Sequence, residues 1–122
     1  MIGDVREILV EVARKRDLIT YGALVNRLGL PPLDGAWAAH PLSKIFEALD
    51  QEDANAQRPF RTTVVVKESD KTPGGGYYEA LERLKGIQAR NALRKLEVFT
   101  RELQALYALY MGSLQKTGKI VR

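Results

Sequence analysis

Apolar residues recur at three- and four-residue intervals from the start of the chain: Val5, Ile8, Leu9, Val12 and Ala13 predict a first helix reaching about Arg16, with Asp4 and Glu7 as a D-x-x-E capping pair. Ile19 then reads as a short extended stub. Thr20 suits the N-cap of a second helix over Tyr21 to Leu28, whose Leu24, Val25 and Leu28 turn inward before Gly29 stops it. The run Leu30-Pro31-Pro32-Leu33-Asp34-Gly35 breaks regular structure, so a long turn continues through Ala36 to His40. Pro41 fits the first position of a third helix, Pro41 to Ala54, with Leu42, Ile45, Phe46 and Leu49 as its buried face.

The pattern then changes period. Pro59 prevents helix, and the β-branched run Thr62-Thr63-Val64-Val65-Val66-Lys67 predicts a strand. Ser69 to Gly74 reads as a turn, and Gly74-Gly75-Gly76-Tyr77-Tyr78 as the glycine-rich return arm of a hairpin. A short helix from about Tyr78 to Lys85, closed by Gly86, precedes a long one from about Gln88 to Met111. Leu93, Leu96, Phe99, Leu103, Leu106 and Tyr110 form a near-heptad stripe on that last helix, which needs a partner: the protein's own core or first helix, or a second copy in a homodimer. Helix, helix, then hairpin is the order of an α+β winged helix-turn-helix core, here with a Thr62 to Tyr78 wing and a long C-terminal helix. The long turn before the third helix departs from the three or four residues of the tightest such units.

Composition narrows the possibilities. A chain of 122 residues, 45% of them apolar, fits one domain over 1–111 followed by a basic tail over 112–122 bearing Lys116, Lys119 and Arg122. Cysteine is absent from the sequence, which excludes disulfides, thiolate metal sites and a cysteine nucleophile. The opening Met1-Ile2-Gly3-Asp4 lacks the basic-then-apolar layout of a signal peptide, and no apolar run approaches the roughly 20 residues of a membrane helix, so a cytoplasmic protein without membrane partners is expected. Residues 1–61 carry 8 Lys/Arg against 9 Asp/Glu, whereas residues 62–122 carry 11 against 6. A positive surplus in the wing and tail is what phosphate contact requires, and it is also what a solvated Arg-rich helix looks like.

Candidate residues follow from that frame. Ser43 and Lys44 occupy the first turn of the third helix, the end that meets bases or phosphates in a recognition helix, with His40 just before it. Arg61, Lys67 and Lys71 are the wing's phosphate candidates, and Tyr78 is a stacking candidate beside them. Against this, Glu47, Asp50, Glu52 and Asp53 leave the third helix with four acids and Lys44 alone, a balance that repels a phosphate backbone unless only the helix start enters the groove. That acidic helix and Trp37 compose a rival contact surface, for a protein partner, with Trp37, Glu47 and Asp50 as its anchors. Gly74-Gly75-Gly76 lacks the Gly-Lys-Ser/Thr ending of a P-loop. The single histidine, His40, assembles no metal site, and Asp50, Glu52 and Asp53 read as a solvated helix end rather than an acid pair. No catalytic residue, metal or cofactor is expected.

Ile19-Thr20-Tyr21-Gly22-Ala23-Leu24 is similar to the ITYGxLA opening of the DNA-binding domain in alkyltransferases and alkyltransferase-like proteins, which implies a winged helix reading duplex DNA. Their Pro-Cys-His-Arg motif has no counterpart in this chain, so alkyl transfer is not implied. A longer likeness, from Ile19 to Tyr110, takes in His40-Pro41-Leu42-Ser43, Arg58-Pro59-Phe60-Arg61 and Pro73-Gly74-Gly75-Gly76-Tyr77, followed by a final helix bearing aromatics. In that order the chain resembles a group of small bacterial winged-helix-like proteins, a likeness that implies architecture and no particular activity. The expectation is a non-enzymatic protein that contacts duplex DNA through the wing and the start of the third helix, with the protein-interaction module as the alternative.

Overall fold

The computed structural model describes residues 1–121, with side chains as far as Met111; the basic tail expected over 112–122 lies outside the described side chains. Five helices dominate: α1 (Ile2–Arg14), α2 (Tyr21–Leu28), α3 (Pro41–Asn55), α4 (Gly75–Lys85) and α5 (Ala92–Val121). Two strands of two residues each, β1 (Ile19–Thr20) and β2 (Val65–Val66), complete an α+β fold.

Local chemistry explains most helix ends. The Thr20 hydroxyl accepts from the Ala23 amide at 3.1 Å, satisfying one of the free donors at the start of α2. Gly29 ends that helix at φ 65, where the Leu30 and Gly29 amides close onto the carbonyls of Val25 and Asn26. Pro41 opens α3, and Gly86 ends α4 at φ 69. The expected cap on α1 is corrected: that helix begins at Ile2, so Asp4 and Glu7 lie within its first two turns and cap nothing.

The wing is corrected as well. β1 and β2 run parallel, with Ile19 opposite Val65 and Thr20 opposite Val66, and no antiparallel hairpin occurs among the described residues. Arg61–Val64 form a 3₁₀ turn, and every residue from Phe60 to Val66 is buried, the polar Arg61, Thr62 and Thr63 included. Beyond β2 the Lys67 amide donates to the Thr72 carbonyl at 2.8 Å, so the expected turn forms, but the chain leaving it enters α4 instead of returning as a strand. Tyr77, Ala80, Leu81 and Leu84 supply the reason: they share one helical face that packs with Phe60 and Val98, and burying it outweighs the poor helix propensity of Gly75 and Gly76.

The main core joins α1, β1, α2, α3, β2 and α5 around Leu9, Leu24, Leu42, Leu49, Val64 and Leu106. The stripe on α5 finds its partner within the chain through Leu103, Leu106, Tyr107 and Tyr110, and the Tyr107 hydroxyl donates to the Asp17 carbonyl at 2.6 Å. Its first two members are left outside, Leu93 being 70% and Leu96 53% exposed.

Candidate functional site

A cleft of about 440 Å³ opens where α2, the turn before α3, α3 itself and the start of α4 meet. Its aromatic wall is Trp37 set edge-to-face against Tyr21 and Phe46, with ring centroids 5.7 Å and 5.6 Å away. Trp37 belongs to a 3₁₀ turn, Trp37–Ala39, inside the long segment where the sequence showed no regular structure. From α3 come Ser43, Glu47 and Asp50, spaced four and three residues apart on one face, and from α4 come Gly74 to Tyr77, Glu79 and Arg83.

Of the three glycines at the start of α4, Gly74 lies tight against the aromatic wall, whereas Gly75 has open space beside it. A Cβ on Gly74 would lie 3.1 Å from the Tyr21 hydroxyl oxygen, which itself accepts from the Gly74 amide at 3.2 Å. One on Gly76 would lie 3.7 Å from the Trp37 ring nitrogen. Burial raises the Tyr21 hydroxyl above its ordinary range, partly offset by that amide.

Asp50 forms the floor. It is 5% exposed, and its Oδ1 accepts from the Thr62 hydroxyl at 2.6 Å. Among the described residues no hydrogen bond or ion pair reaches its Oδ2. Burial pushes the carboxyl up to about 7, with the neighbouring Asp53 adding to the rise and the Thr62 bond, Arg83 and Lys85 opposing it.

The expected solvated acid cluster is therefore corrected. Asp53 is fully buried and holds the chain leaving α3, accepting from the Arg61 amide at 2.8 Å and from the Arg61 and Arg58 side chains. Glu52 bridges Arg61 and Arg6, and those hydrogen bonds hold its carboxyl down to about 2. Glu47, Asp50 and Trp37, the three anchors of the rival surface, share the cleft with His40 and Ser43 from the DNA set.

The DNA candidates are dispersed. Arg61 is buried in the ion pairs just described, so meeting phosphate would break its pairs with both Asp53 and Glu52. Lys67 lies 3.3 Å from Asp70 and Lys71 3.3 Å from Glu68 on the exposed turn, each cation beside its own acid. Tyr78 is half-buried on α4, with the Lys95 amine 5.4 Å from its ring centre. His40 caps α3: its Nε2 donates to the Pro31 carbonyl at 2.8 Å and its Nδ1 accepts from the Leu42 amide at 3.1 Å, so both ring nitrogens are committed to the fold. Lys44 is exposed on the first turn of α3, and Ser43 faces the cleft.

Sequence reasoning missed Tyr21, Phe46, Thr62, Glu79 and Arg83 as cleft residues. One signal was available: Ser43, Glu47 and Asp50 make a polar stripe beside the apolar face of α3, more regular than a merely solvated surface needs. No protein-family model, curated protein or solved structure matches the chain. Among the described residues no helix is long and apolar enough to cross a membrane.

Proposed function

We propose that this protein is a non-enzymatic binding module whose working surface is the cleft between α2, α3 and α4. The observation that carries this reading is the convergence of Trp37, Glu47 and Asp50 on one ligand-sized concavity with a largely aromatic wall. A binding role suits the geometry better than a catalytic one. Ser43 has no hydrogen bond to the only histidine, whose nitrogens serve Pro31 and Leu42, so this serine has no imidazole base.

The succession α1, β1, α2, α3, β2 keeps the order of a winged-helix core, with α4 standing where a second wing strand would follow. That order supports reading the chain as a modified winged-helix scaffold. Duplex contact draws support from Lys44 at the start of α3 and from the positive second half of the chain, but it lacks Arg61.

Amide-resolved NMR titration with a mixture of small organic fragments tests the reading. Shifts confined to residues 34–50 and 74–83 are expected. A mobility shift of duplex DNA that is lost in Lys67→Glu/Lys71→Glu, with no cleft amide moved by any fragment, would replace the cleft with the exposed turn as the working surface.

A further inference from the structure

We infer that the cleft takes an organic ammonium group, a protonated amine or quaternary ammonium ion carried on a carbon body; this rests on the cleft being a binding site. Charge is the first argument. Asp34, Glu47, Asp50 and Glu79 line the cleft against Arg83 alone, and among the described residues none of the four carboxylates makes an ion pair. Elsewhere most acids are neutralised in place, as with Glu11 by Lys15, Glu52 by Arg6 and Asp53 by Arg58. Asp34, Glu47 and Glu79 are exposed around the cleft and Asp50 lies buried within it, so the field at its mouth attracts cations.

Asp50 supplies the second argument. Asp50 is 95% out of solvent and bonds Thr62 through one oxygen; because no buried side-chain oxygen among the described residues is left without a partner, the other oxygen meets the solvent of the cleft, where it lacks an ion-pair partner. An ammonium entering the cleft supplies it, and Glu47 on the preceding turn of the same helical face offers a second carboxylate. The aromatic wall supplies the third. Tyr21, Trp37 and Phe46 line the cleft as one mutually packed aromatic group, with Trp37 also stacked on His40 at 6.1 Å, and an aromatic surface attracts a cation while covering its alkyl part.

A bare metal ion fits poorly. No group of three His, Asp or Glu side chains among the described residues is arranged to hold one, and about 440 Å³ is room for an organic molecule. Arg83, in the last turn of α4, is the lone cation of the lining and acts on Asp50, so an acceptor atom elsewhere on the ligand suits its guanidinium while the ammonium meets the carboxylates.

Trp37 is the sole tryptophan, so its fluorescence reports on the site directly. Titration of the intact protein with choline, n-butylammonium, the neutral carbon isostere of choline, and n-butanol, backed by calorimetry, is the test. Choline or n-butylammonium should bind on the order of tenfold tighter than its neutral counterpart. Asp50→Asn and the exposed Glu47→Gln should each remove most of that preference while leaving the neutral probe unchanged. A lysine peptide and its acetylated form separate the sources: tighter binding of the unmodified peptide than of n-butylammonium assigns the ammonium to a protein side chain, and equal or weaker binding assigns it to a free amine. Neutral and cationic probes binding equally would overturn the ammonium assignment and leave the cleft as a binding site. No probe binding, with no NMR shift from the fragment mixture, would overturn both.

Discussion

Replacing Asp50 with Asn should flatten the dependence of stability on pH. In the unfolded chain this carboxyl ionises near 3.8, and in the fold it ionises near 7 because burial disfavours the charge. The native state thus binds the extra proton between those values, so the contribution is fully present below about pH 4 and is lost as pH rises through about 7. The interval corresponds to about 4 kcal/mol; access of solvent to Oδ2 through the cleft puts the expected loss at about 2–4 kcal/mol. Asn is close to isosteric, keeps an oxygen for the Thr62 hydroxyl and carries no charge to desolvate. Glu52 does not interfere: held down to about 2, it loses its contribution only as pH falls from its ordinary value near 4.5 through about 2. Urea unfolding followed by far-ultraviolet circular dichroism at about pH 5 and about pH 8 measures the difference between parent and variant. The variant should gain on the parent across that range. Parallel curves, or a variant that loses ground toward alkaline pH, would refute the assignment of a raised carboxyl at this floor.

Other outcomes follow from the same coordinates. Asp53→Ala removes the acceptor of the buried Arg61 amide and one of the two carboxylates on its guanidinium, leaving Glu52 alone, and should cost about 3–5 kcal/mol in urea unfolding, far more than Arg6→Ala on the half-exposed Glu52 pair. Gly74→Ala drives a methyl against the Tyr21 hydroxyl and should cost about 1–2 kcal/mol by thermal melt, with Tyr21→Phe recovering part of the loss in the double variant. Gly29→Ala forces a side chain into the left-handed region at φ 65 and should cost about 1 kcal/mol in the same assay. If the exposed Leu93 and Leu96 pair two chains, light scattering should show a dimer that Leu93→Glu/Leu96→Glu disperses; a monomer at high concentration dismisses that pairing.

Where the deciding forces are local, the residues alone were enough. The second helix, Tyr21–Leu28, starts at its Thr20 cap and stops at Gly29 as expected, because both ends are set by a hydroxyl and a missing Cβ within a few residues. The third helix, opened by Pro41, was legible for the same kind of reason, whereas the stripe on α5 left its own core and a second copy open until it packed on the core. The arm from Gly74 to Tyr78 was not. Three glycines and two tyrosines fit a strand or a helix equally well, and only the contact of Tyr77 with Phe60 and Thr63, partners 17 and 14 residues away in sequence, selects the helix.

The acids of α3 divide along the same line. Their residue types and helical spacing belong to the sequence, and Asp53 even continues the apolar stripe of Leu42, Phe46 and Leu49. What each carboxylate does depends on what arrives from elsewhere: Arg61 returns to neutralise Asp53, Thr62 meets one oxygen of Asp50, and the start of α4 roofs the space above the other. The limits of α2 and the start of α3 were thus set by the chain's own local chemistry. Pairing, desolvation and the cleft are properties of distance in space, so they came into being only when the segments packed together.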